Sequence, residues 1–144
     1  MSRSLMSGRV LAITCLLAAV SAACGNDRTT VTAPTSTAPT AGTQTLSSTV
    51  QPGGGSFRFF TASAAGAVSV TLVSTNPEGV QLGVGLGIPA VNNTGCTLSV
   101  ARRATGGEAP LTVPVDAGSY CAGVYDLGTL TEGGIGFEVR IVHP

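Results

Sequence analysis

Val80-Gln81-Leu82-Gly83-Val84-Gly85-Leu86-Gly87-Ile88 puts a large aliphatic side chain at every second position and only Gln or Gly between them. A strand turns successive side chains to opposite faces, so all five aliphatic groups share one face and the other is nearly bare. The same period of two extends outward from this run. Upstream it appears in Val68, Val70 and Leu72; downstream it appears in Leu98 and Val100, in Leu111, Val113 and Val115, and in Ile135, Phe137, Val139 and Ile141. Turn formers separate the runs: Pro52-Gly53-Gly54-Gly55, Ala65-Gly66, Asn76-Pro77-Glu78-Gly79, Asn92-Asn93-Thr94-Gly95, Gly106-Gly107, Asp116-Ala117-Gly118 and Glu132-Gly133-Gly134. With further strands over residues 45–50, 57–62 and 119–126, about eight are expected, with no segment of helical period between them. That is the pattern of an all-β, antiparallel sandwich or barrel.

The first 24 residues follow a different logic. Arg3 and Arg9 precede an apolar run over residues 10–20, then the small residues Ser21-Ala22-Ala23, then Cys24. A basic start, an apolar stretch and small residues before a cut make a secretory signal over residues 1–23. The cysteine directly after them resembles the lipobox of bacterial lipoproteins, which implies a diacylglyceryl group on Cys24. Ser21 stands where that motif usually has Leu, Val or Ile, and the alternative is ordinary cleavage after Ala23. Either reading places the remainder outside the cytoplasm. Gly25, in place of Asp, resembles the outer-membrane sorting pattern if the cell is Gram-negative. The apolar run falls short of the roughly 20 residues of a membrane-spanning helix, so lipid would supply the membrane contact.

Residues 24–44 comprise the lipidated cysteine and a Thr-, Ala-, Pro- and Ser-rich stretch in which Val31 is the one aliphatic side chain larger than Ala. Such a composition buries too little to offset the entropy of ordering and is read as a tether. Extended, it would reach on the order of 60 Å. Residues 45–144 are long enough for one domain, with four Arg, no Lys and six carboxylates for a net charge of −2. A surface of that balance gives nucleic acid no electrostatic footprint. Cys15 falls within the signal, which leaves Cys96 and Cys121 in the domain. In an oxidising compartment these are most simply a disulfide, and closing that loop stabilises by about 3.5 kcal/mol. Parity makes one difficulty: Cys121 should face outward, whereas Cys96 shares parity with Leu98 and Val100, read as inward. A bulge, or a strand that begins after Cys96, would reconcile the two.

Phe57-Arg58-Phe59-Phe60, Ala65-Gly66 opening a Val-x-Val-x-Leu strand, Val115-x-Ala117-Gly118-x-Tyr120, Val124-Tyr125-Asp126 and Phe137-x-Val139-x-Ile141 together resemble the bacterial pre-peptidase C-terminal (PPC) domain. The resemblance spans residues 45–144. It implies a small jelly-roll-like β-sandwich, non-catalytic, carried by secreted peptidases and cell-surface proteins and sometimes associated with carbohydrate, collagen or calcium. The chain departs from the family's usual setting, in which a peptidase precedes the domain.

Catalysis needs clustered groups that exchange protons, attack or hold a metal. The domain has no Lys, its single His is His143 beside the C-terminal Pro144, and both cysteines are assigned to the bridge. No catalytic residue, metal site or cofactor is therefore expected. Asp116, Asp126 and Glu132 are the carboxylates that a calcium ion could recruit, set against service as turn formers. Asn92-Asn93-Thr94 matches the glycosylation sequon and reads as a turn. Alternation assigns Phe57, Phe59, Tyr120 and Phe137 to the core and leaves Phe60 and Tyr125 outward as the candidate binding surface. Arg102-Arg103 could fork a carboxylate or phosphate, or be a solvated pair. The expected function is a membrane-anchored, non-catalytic binding or structural module whose partner is an envelope protein or a glycan. The alternative is a carbohydrate-binding or calcium-dependent adhesion module.

Overall fold

The structure, a computed structural model, describes residues 40–144. Cys24, the signal over residues 1–23 and the tether as far as residue 39 lie outside the described residues. Eight strands follow in order: β1 (Gly42–Val50), β2 (Gly55–Ala62), β3 (Gly66–Asn76), β4 (Leu82–Pro89), β5 (Cys96–Ala104), β6 (Leu111–Val115), β7 (Gly118–Tyr125) and β8 (Ile135–His143). They form two four-stranded antiparallel sheets, β1-β8-β3-β6 and β2-β7-β4-β5. Chain order alternates between the sheets except at the β4–β5 hairpin, which is jelly-roll topology. Among the described residues no helix is long and apolar enough to cross a membrane.

The strand phases follow the alternation read from the sequence over most of the molecule. Leu82, Val84 and Leu86 of β4 face Val68, Val70 and Leu72 of β3 and Val139 and Ile141 of β8 across one apolar layer, all buried. Each such side chain contributes about 1.5–3 kcal/mol of transfer free energy. β1 begins at Gly42, so Gly42–Gln44, read as the end of the tether, instead pair with Ile141–His143. In β3 a register shift between Leu72 and Ser74 leaves Val73 bulged, and the strand runs on to Asn76.

Two expectations about phase are overturned. In β2, Phe60 is 5% exposed and in the core, whereas Phe57 is 41% exposed. Register explains the inversion: Phe60 and Ala62 stand opposite Tyr120 and Gly118, and Phe57 and Phe59 stand opposite Gly123 and Cys121, which point away from the core. Phe57-x-Phe59 and Phe60-x-Ala62 call for opposite phases, and the second prevails. Phe60 stacks between Tyr120, at 6.0 Å, and His143, at 5.0 Å, on the inner face. Arg58 is carried to the mouth of the sandwich, where its Nε donates to Gln44 Oε1 at 3.2 Å.

The second inversion is in β5. Its register with β4 shifts between Leu86 and Gly87, because Leu86 pairs with Val100 and Gly87 with Leu98. Ser99 is thus an extra residue, and every side chain before it changes face. Val100 stays on the core side at the exposed sheet edge, while Leu98 and Cys96 turn outward. That places Cys96 on the same side as Cys121, and the two form a disulfide with Cα atoms 5.9 Å apart.

Candidate functional site

The two outer faces differ in chemistry. On the β1-β8-β3-β6 sheet the register aligns Thr43, Thr45, Ser47 and Thr49 beside Arg140, Glu138, Ser69, Thr71 and Thr112, an ordinary solvated surface. On the β2-β7-β4-β5 sheet the outward positions include Phe57, Phe59 and Thr61 of β2, Ser119, Cys121, Gly123 and Tyr125 of β7, Gly83, Gly85 and Gly87 of β4, and Leu98, Ala101 and Arg103 of β5. Glycines form the middle of this face and apolar side chains much of its relief, with Thr61 and Ser119 toward one end and Arg103 at the β5 edge.

The bare track of β4 allows β5 to bend over it. A Cβ on Gly87 would collide with the backbone of Thr97 and Leu98, so the first half of β5 lies across the outer face of its neighbour. Leu98 then extends inward along the face: its Cδ1 would lie 2.8 Å from a Cβ on Gly85 and its Cδ2 3.4 Å from one on Gly123. The Cys96–Cys121 bridge fastens this curl to β7. On the other side, the ring of Tyr125 covers the position a Gly83 side chain would take.

Between the curl and β2 lies an open groove of about 360 Å³. It is lined by Phe57 of β2, Gly123 and Tyr125 of β7 and Cys96 and Leu98 of β5, with the Leu98 methyls resting on Gly123. Phe57 is supported by Phe59, with ring centroids 5.3 Å apart and planes inclined at 55°. Gly95 adds to the lining from the turn before β5, a turn in which Asn92 and Asn93 adopt φ of 63° and 56°, a left-handed conformation that Asn tolerates.

Asp126 fixes the Tyr125 end. Its Oδ2 accepts the Gly53 N–H at 2.8 Å; its Oδ1 accepts those of Gly128, Thr129 and Leu130 at 2.9, 3.1 and 3.2 Å. The Asp126 N–H donates to the Gly54 carbonyl at 3.0 Å. One side chain thereby ties the β1–β2 turn to the β7–β8 loop. The Gly53 N–H is the main cause that holds this carboxyl below its ordinary value; burial opposes it, and the N–H groups of Leu130, Thr129 and Gly128 add to the lowering.

Of the residues singled out in the sequence, Tyr125 is on the exposed face as expected, and Phe60 is not; its place is taken by Phe57. Phe57 was missed because alternation alone cannot choose between two opposed phases. Asp116 supplies a backbone carbonyl to the Tyr120 hydroxyl at 3.1 Å, which secures the β6–β7 turn. Among the described residues no three His, Cys, Asp or Glu side chains converge, so Asp116, Asp126 and Glu132 form no calcium cluster. His143 lies on Phe60 with its Nδ1 3.2 Å from the Pro144 carbonyl oxygen. Arg102 pairs with Glu108 at 3.2 Å, while Arg103 points to the outer face with its guanidinium unpaired among the described residues. No family model and no curated protein matches the chain.

Proposed function

We propose that this chain is an extracytoplasmic lipoprotein, anchored through an acyl group on Cys24, whose jelly-roll domain is a non-catalytic binding module. The observation that carries the reading is the aromatic groove over Gly123. Phe57 and Tyr125 are held partly in water on a face where a solvated sheet would carry Thr, Ser and charge, as the opposite sheet does. Exposed aromatic relief of this kind marks contact surfaces. The non-catalytic part is supported by how the ionisable groups are used: Asp126 by backbone N–H groups, Arg102 by Glu108, His143 by a ring stack, and both cysteines by the bridge. The bridge also accords with an oxidising compartment. Kinship with the PPC domain draws support from the two-sheet, eight-strand architecture. The carbohydrate-binding variant is favoured by the same groove, and its calcium-dependent form by nothing in the carboxylate placement.

Anchoring and binding are tested separately. Radiolabelled palmitate should mark the wild type, and Cys24→Ala should release the protein into the soluble fraction. Equal membrane association of both forms would refute the anchor. A photo-reactive side chain at position 57 should crosslink a partner in intact cells, and the same group at Thr45 on the opposite face should not. Equal labelling from both positions would refute the groove as the binding surface.

A further inference from the structure

We propose that the groove over Gly123 holds a sugar ring of an acidic glycan, with Arg103 receiving the carboxylate of a neighbouring ring. The proposal rests on the binding-module reading and names its ligand.

The shape sets what can enter. About 360 Å³ is near the lower end of small-ligand sites, which run from roughly 300 to 1,000 Å³. That is room for a single ring and too little for a helix. A second copy packed sheet against sheet is disfavoured, because the curl of β5 stands above the glycine floor and would hold a flat partner away. An added peptide strand would pair along an open sheet edge, whereas this groove lies on a face over the inner strand β7.

The walls set the chemistry. A pyranose has an apolar C–H face that can lie on Phe57 or Tyr125, beside the Leu98 methyls that rest on Gly123. Its hydroxyl edge stays in water, because the groove is open, and no buried donors are required.

Charge then selects among sugars. Gly83 pairs with Tyr125 on one side and with Arg103 on the other. The two side chains are therefore two strand spacings apart, about 10 Å between backbones, and the Tyr125 ring leans over Gly83 toward the arginine. Arg102 is neutralised by Glu108, and Arg103 is not neutralised by any described residue. None of the outward positions of these four strands carries a carboxylate. In a domain of net charge −2 this face presents an arginine with no carboxylate partner among the described residues, next to an aromatic groove. A guanidinium matches a carboxylate bidentately. A ring seated over Gly123 and a second crossing Tyr125 would bring a uronate carboxylate to Arg103.

The test is calorimetric titration of the full chain carrying Cys24→Ala with short oligomers of galacturonate, mannuronate and glucuronate, each beside its neutral methyl ester. At least one acid should bind about tenfold more tightly than its ester, and its affinity should fall with added salt. Arg103→Gln should remove that preference with an unchanged melting temperature, and Tyr125→Ala should weaken acid and ester together. Failure of all three acids to bind, equal binding of acid and ester, or an undiminished preference in Arg103→Gln would overturn the proposal. Should crosslinking from position 57 persist in cells when all three acids fail, the glycan assignment falls and the binding-module reading stands.

Discussion

Both carboxylate oxygens of Asp126 accept backbone N–H groups, from Gly53 on one side and from Gly128, Thr129 and Leu130 on the other. These donors favour the charged form, so the folded-state pKa lies below the unfolded value of about 3.9. The sign of the linkage follows: the contribution is complete above the unfolded pKa and is lost as pH falls through the lower folded one. Asp126→Asn should therefore lower the melting temperature near neutral pH, and the deficit should shrink as both proteins are taken below about pH 4. A pH-independent difference between the two would show that hydrogen-bond geometry, not charge, is what Asp126 supplies. The same residue shows the limit of reading a carboxylate from sequence. Val124-Tyr125-Asp126 at a strand end is equally compatible with a metal ligand and with a turn cap, and only the chain fold brings Gly53 to its second oxygen.

At the scale of the strand, β2 is where periodicity misleads. Phe57-Arg58-Phe59 satisfies one phase and Phe60-Thr61-Ala62 the other, and the outcome depends on β7, whose Tyr120 and Gly118 stand opposite Phe60 and Ala62. Phe60→Ala should then cost about 3–5 kcal/mol, as expected for an aromatic ring lost from a packed interior. Phe57→Ala, at 41% exposure, should cost no more than about 1 kcal/mol. Urea unfolding of the two variants measures both, and comparable losses would mean that the groove wall is part of the core. Where a strand has one phase the sequence is a good guide, as β4 and β8 show: Leu82, Val84, Leu86, Val139 and Ile141 are all buried, and Ile88 departs because β4 runs out past the core there, leaving it 54% exposed. β5 is opaque for another reason. A bulge at Ser99 adds one residue and leaves no mark in composition, yet it turns Leu98 and Cys96 to the opposite face.

For the whole molecule, the jelly roll and the groove are built from different sets of side chains. The inner faces of the two sheets supply the core, and the alternation that fills them is plain in the sequence. The groove depends on what lies over Gly83, Gly85 and Gly87, and a glycine track does not encode what covers it. Those positions are occupied by Tyr125, Leu98 and the backbone of β5, and the bend of β5 is fastened by a disulfide that lies outside the core layer. Replacing Cys96 and Cys121 with Ser should accordingly have two separable effects. Stability should fall by about 3.5 kcal/mol from the loss of the cross-link, which lowers the melting temperature by about 10 °C or more for a domain of this size. The sandwich should still fold in one cooperative transition, because no inner-face residue is altered, while the slope of unfolding free energy against urea steepens as the uncrosslinked chain exposes more surface when unfolded. The Leu98 methyl resonances and the amide of Gly123 should move as the curl loosens, while those of Val84 and Val139 on the inner face stay in place. Loss of the folded state altogether would show that the curl is needed for the core, and unmoved Leu98 resonances would show that packing on Gly85 and Gly123 holds β5 without the bridge.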